Sequence, residues 1–226
     1  MRNIDRIRTT SLWIFIVPVV VLNLCLFISV NHELLENTIF EVDMIGRSGF
    51  TFPYIDGSLS ISRASRTYPS YLLFKPGMII TSVLLVRYWI ANNNLILSIN
   101  NETYKNKHFM LFGIGSAIFL TIHSIFLGIN FENDLFKFSR RFVLLGFIIF
   151  EIIAQTLLVI NLFKIKQKIQ TYINVKILTL KIILVSILII VAILSAPLLG
   201  SQDYVHFKHG LEWNYFLGIV TFYLLT

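Results

Sequence analysis

"FVLLGFIIFEIIAQTLLVINLF", residues 142–163, contains a single ionisable side chain, Glu151, set in an otherwise almost wholly apolar run. About 20 such residues cross ~30 Å of hydrocarbon as an α-helix, so this run is long enough to span a bilayer. Comparable runs occupy residues 11–30, 71–91, 109–129 and 177–199, and a shorter one occupies 213–226. Ile, Val and Phe are mediocre helix formers in water. Within lipid the backbone must satisfy its own hydrogen bonds, and that requirement selects helices over open strands. The last run contains Trp213, Tyr215 and Tyr223 and is expected to form a short sixth span.

Composition agrees. The 226 residues are 56% hydrophobic and 14% charged, with mean hydropathy +0.75. A soluble domain carries about 25% charged residues, so this chain lacks the polar surface to cover a water-facing globule. Net charge +7 and pI near 9.6 would suit a nucleic-acid binder. The basic residues, however, stand at the ends of apolar runs, where snorkelling and orientation account for them. Nucleic acid is not an expected partner. The sole cysteine, Cys25, excludes an intrachain disulfide. Arg2, Arg6 and Arg8 precede the first run as in a secretory signal. The run nevertheless exceeds the 7–15 apolar residues of a signal, and "ISVNHELLENT" (28–38) offers no small-x-small cleavage site. An uncleaved first span is expected.

The expected fold is all-α: one transmembrane domain, 1–226, of six helices with the last one short. The first loop, 31–70, is extracytoplasmic and both termini are cytoplasmic. Orientation rests on ten basic residues on the N-terminal side against eight opposite, a bias that grows when the long first loop is discounted. It places Asn101, in the sequon "NET", in the cytoplasm. The location is a multi-pass membrane, that of the endoplasmic reticulum or Golgi in a eukaryote and the cytoplasmic membrane in a bacterium.

Polar residues inside the spans are the first functional candidates. A carboxylate at mid-span is costly, so Glu151 should face the bundle and find partners. Gln155 lies one turn on, on the same face. His123 stands about 9 Å below the outer end of the third span, with Ser116 two turns away on one stripe, and a His123–Glu151 contact is sterically possible. These two are the candidate catalytic pair. The competing readings are an interhelical hydrogen bond for Glu151 and a backbone or Ser124 partner for His123. In "HFKHGLEW" (206–213), His206, His209 and Glu212 are zinc-ligand types. Gly210 is expected to interrupt any helix there, and no HExxH pattern is present. A polar interfacial loop is the preferred reading, with no metal. Lys75, Arg87 and Lys181 are read as snorkelling to the surfaces. No phosphate-binding loop, GxSxG elbow or dinucleotide fingerprint occurs, and no cofactor is expected.

The long polar segment "FPYIDGSLSISRASRTYPSYLLFKPG" (52–77) lies where the spans converge at the outer leaflet. Pro53, Pro69 and Pro76 favour extended or turn backbone. Ser58, Ser60, Arg63 and Arg66, with Glu212 nearby in the last loop, form a candidate set for a lipid headgroup, since hydroxyls and guanidinium forks suit phosphate. A plug closing the mouth of the bundle is the alternative.

In this context the chain resembles the Frag/DRAM/Sfk superfamily of membrane proteins. The nearest branch is that of the post-GPI-attachment lipid-remodelling factor and the Cwh N-terminal domain. Pro53, Tyr54, Ile55, Ser58 and Ser60 stand near that family's luminal Pro-x-Ile/Val-Ser element. Pro69, Phe74 and Gly77 match its entry into span two, Arg87–Tyr88–Trp89 its exit, and Glu212–Trp213 its last span. Asp56 departs from the pattern, standing where a serine is expected. The resemblance implies six spans and lipid handling of the GPI-anchor remodelling kind, with membrane lipids as partners. Its alternatives are a non-enzymatic regulator or scaffold that contacts other membrane proteins, and a ceramidase-type metal-dependent hydrolase using His206 and His209.

Overall fold

Long apolar runs give long helices. The computed structural model describes residues 2–41, 51–99, 107–129, 134–169, 173–200 and 203–226, and everything regular among them is helical. In chain order these are α1 (Arg2–Val30), a 3-10 turn (His32–Leu35), α2 (Pro53–Asp56), α3 (Ile61–Arg66), α4 (Ser70–Ile99) and α5 (His108–Phe126). They continue with α6 (Asp134–Lys164), α7 (Lys166–Ile169), α8 (Val175–Gly200) and α9 (Val205–Leu224). Five stretches are long and apolar enough to cross a membrane: Ile4–Val30, Ser70–Ile99, His108–Phe126, Phe138–Lys164 and Val175–Ser195. They are compatible with a multi-pass integral membrane protein.

The long helices pack as a closed ring: α1 on α4, α4 on α5, α5 on α6, α6 on α8, α8 on α9, and α9 back on α1. Gly77 makes the α1–α4 seam possible, because a Cβ there would meet Val21 Cγ2 at 2.5 Å. Small residues at such seams let helices approach where packing, and not water exclusion, drives association. The interior holds Tyr88, Trp89, Phe109, Phe222 and Tyr223, all buried, in edge and tilted contacts such as Tyr88–Tyr223 at 4.9 Å between centroids. The outward faces stay apolar. On α8, Ile183, Ile187, Ile190 and Leu194 are all exposed at helical spacing. Such a stripe suits a hydrocarbon solvent.

Two parts of the expected layout are corrected. The segment 206–212 is not a loop but the opening turns of α9, and Gly210 lies inside the helix. The helix is held there because it docks on the α2 segment, with Trp213 Nε1 bonded to Leu59 O and Asn214 Nδ2 to Tyr54 O. The 53–66 stretch, read as extended or turn backbone, forms two short helices. Pro53 sits in the first turn of α2, where its missing N–H costs nothing. With twenty residues, α9 is about 30 Å long. It starts against the α2–α3 cap and ends where Leu225 and Thr226 share a cavity with Ile4, Ile7 and Arg8. Both chain ends therefore lie at the end of the bundle opposite the cap.

Candidate functional site: the cap and the buried carboxyl

Local rules build the cap. Asp56 accepts backbone N–H groups from Phe52 (3.0 Å) and Ser58 (2.8 Å), closing a turn around α2. Gly57 follows at φ +58°, and a Cβ there would overlap His206 O at 1.7 Å, so only glycine fits. Ser60 is the N-cap of α3: its hydroxyl accepts the Arg63 N–H at 3.2 Å. Glu212 of α9 receives the Ile61 and Ser62 backbone N–H groups. The first turn of α3 is thus satisfied by one hydroxyl and one carboxylate.

The cap is fastened to two helices. Trp213 Nε1 donates to Leu59 O at 2.8 Å, and Asn214 Nδ2 donates to Tyr54 O at 2.7 Å. The Tyr54 ring lies 5.0 Å from that of Trp213, and its hydroxyl meets Asn23 of α1 at 3.1 Å. Burial pushes the Tyr54 hydroxyl pKa up, opposed by that hydrogen bond. His206 and His209 both direct Nδ1 at Gly57 O, at 3.3 and 3.0 Å. Among the described residues, no group of three or more His, Cys, Asp or Glu is placed to hold a metal ion.

Of the candidate headgroup set, Ser60 and Glu212 are therefore occupied as caps, and the Ser58 hydroxyl is buried without a partner among the described residues. The arginines stand differently. Burial, then Arg140 and then Arg63 as neighbouring cations, pull the Arg66 guanidinium below its ordinary range. No acidic group is among the charges acting on Arg66. Arg140, near the start of α6, was absent from the sequence-derived set. The pair Arg140–Arg141 opening an apolar run was the available signal.

Deeper in the bundle, Glu151 is fully buried at the midpoint of Phe138–Lys164. Ser116 Oγ of α5 reaches its Oε2 at 2.5 Å, Gln155 Nε2 donates to Oε1 at 3.0 Å, and the Tyr223 hydroxyl of α9 donates to the same oxygen. Gln155 also donates to Ile219 O at 3.2 Å. This network knits α5, α6 and α9 through one carboxyl group, with neutral donors only. Such a site can hold a proton, or lock three helices.

His123 is not part of it. Its ring is edge-on to Phe74 with centroids 6.4 Å apart and donates to the Arg140 backbone carbonyl, while Nδ1 is buried without a described partner. The two catalytic candidates are thus separate: His123 belongs to the capped end beside Arg140, and Glu151 to mid-bundle. Ser116, two turns from His123, takes the contact with Glu151 instead. Tyr223 was seen in the sequence only as an aromatic of the last run. Compared with known proteins, the chain matches no family model, no curated protein and no solved structure.

Proposed function

We propose that this is a six-span membrane protein of lipid handling, in which α9 is the sixth crossing and the capped end receives an anionic lipid headgroup. One observation carries this: Arg66 of α3 is close enough to two further cations, Arg140 and Arg63, to feel their charge, and no acidic group is among the charges acting on it. Clustered guanidiniums repel each other, and an arrangement that keeps them together suits a multiply charged oxyanion taken up by bidentate forks. The lipid chemistry follows from the setting, since the cap sits at one end of a ring whose outer faces are apolar. Resemblance to the Frag/DRAM/Sfk superfamily supports the same reading and points to GPI-anchor lipid remodelling. The basic residues flanking the apolar runs favour cytoplasmic termini and an extracytoplasmic cap.

A lid is the second reading, favoured by the fastening of residues 53–60 to α1 and α9. The two divide the segment: 53–60 fixes the cap, and α3 offers the charges. In the regulator or scaffold version the protein changes no lipid itself. A lipidomic comparison of cells with and without the gene separates them. Lipid handling predicts an altered acyl-chain or headgroup profile in one lipid class. An unchanged profile contradicts it and leaves the scaffold.

A further inference from the structure

The hydrogen bonds around the buried Glu151 carboxyl group can be counted. Oε1 takes two donors, Gln155 Nε2 at 3.0 Å and the Tyr223 hydroxyl. The Gln155 amide is held in that orientation, because its Nε2 also donates to Ile219 O at 3.2 Å. Oε2 has one contact, Ser116 Oγ at 2.5 Å. That hydroxyl lies in turn 2.8 Å from Gly113 O, a carbonyl that can only accept. A hydroxyl has a single hydrogen. Were Glu151 ionised, this hydrogen would face two acceptors, and one of the two short oxygen–oxygen contacts would lack a proton. With a proton on Oε2 the chain closes in one direction, from Glu151 Oε2–H to Ser116 Oγ–H to Gly113 O. Every contact then has its donor.

Charge balance agrees. The groups acting on the carboxyl are Ser116 of α5, Tyr223 of α9 and Gln155 of α6 itself, and no cation is among them. From α4, Tyr88 feels the carboxyl across the Tyr223 ring, with ring centres 4.9 Å apart. From α8, Lys181 turns instead to Thr226 Oγ1 at 2.6 Å and the Phe222 ring. From α7, Lys166 lies over the Phe163 ring near the end of α6. A carboxylate at mid-span without a counter-charge is costly, whereas the neutral acid keeps all of its hydrogen bonds.

We propose that Glu151 is a resident proton site: a neutral carboxylic acid whose Oε2–H donates to Ser116, so that its proton pins α6 to α5 while Oε1 holds α9. Loss of that proton leaves an unpaired anion at the junction of three helices, which makes the pin removable. The site is separate from the cap and does not depend on the capped-end reading.

The test is infrared spectroscopy of the full chain in neutral detergent at neutral pH, joined to unfolding by added SDS at rising pH. The parent should show the carbonyl band of a protonated carboxyl, sensitive to heavy water, that Glu151→Gln removes. Ser116→Ala should move this band without removing it. Glu151→Gln should fold, since its amide N–H gives Ser116 what Oε2–H gives. Above the ordinary carboxylate range the folded chain then holds one proton more than the unfolded chain, so stability falls as pH rises. Relative to Glu151→Gln, the unfolding equilibrium constant of the parent should rise about tenfold per pH unit. A neutral-pH spectrum in which Glu151→Gln removes no such band overturns the proposal, and so does an identical pH dependence of the two chains. A band unmoved by Ser116→Ala overturns the placing of the proton on Oε2. A Glu151→Gln chain that fails to fold also overturns it, by showing that the charge is needed.

Discussion

Glu151 concentrates the chemistry of single residues in this chain. Its three partners are neutral, and the Ser116 hydroxyl, which also donates to Gly113 O, can accept an N–H, so an amide of the same shape can replace the carboxyl group. Glu151→Gln should insert and fold near parental levels. Glu151→Lys should not, because an unpaired cation at mid-span costs about 2.5–3.5 kcal/mol on insertion scales, and the partners Ser116, Gln155 and Tyr223 carry no counter-charge. Membrane-fraction yield and detergent-soluble monodispersity check this, and equal behaviour of the two variants would remove Glu151 from the interior. The sequence makes a buried, partnered Glu151 legible, since one carboxyl in an apolar run admits little else. It does not make Tyr223 legible as the partner. Tyr223 lies 72 positions away, and helix rotation in a ring is set by packing that one sequence does not reveal. Lys181 shows the same limit, because nothing local distinguishes a snorkelling lysine from one turned inward onto Thr226.

At the scale of elements, periodicity and run length identify the five long apolar helices. Their ends are blurred because polar turns extend past the hydrocarbon: α1 begins at Arg2 and α4 runs to Ile99. The misreading at Gly210 has a tertiary cause. Isolated glycine weakens a helix in water, yet here the helix is held across Gly210 by the Trp213 and Asn214 hydrogen bonds to the cap. The cap has its own decisive glycine. Gly57→Ala should detach the cap: the left-handed backbone costs about 1–3 kcal/mol in a non-glycine residue, and the added methyl would overlap His206 O. Hydrogen exchange over residues 53–60 should rise while α4–α6 stay protected. Unchanged exchange in the cap would contradict the fastening inferred from Trp213 and Asn214.

Over the whole molecule, the ring order and the return of α9 place the cap and the chain ends at opposite ends of the bundle. In the proposed orientation the termini are cytoplasmic; Asn101 lies outside the described residues. Ile99, where α4 ends, lines the same cavity as Ile4 and Thr226, so in that orientation Asn101 should remain unglycosylated in a eukaryotic cell. A glycan there, read as a mass shift removed by endoglycosidase, would invert the orientation and put the arginines of the cap inside.

In the function proposed above, the arginines of the capped end bind an anionic headgroup while the bundle is held by its own packing. Binding of the purified parent, Arg63→Ala/Arg66→Ala and Arg63→Lys/Arg66→Lys to vesicles containing anionic lipid, with thermal unfolding measured in parallel, tests it most directly. Hydrogen bonds to charged groups contribute about 1.5–3 kcal/mol each, so the alanine pair should lose about tenfold or more in affinity. The lysine pair should recover only part, lacking the bidentate fork, and all three should unfold at similar temperatures. An alanine pair that binds these vesicles as the parent does would contradict the account and leave the cap as a lid.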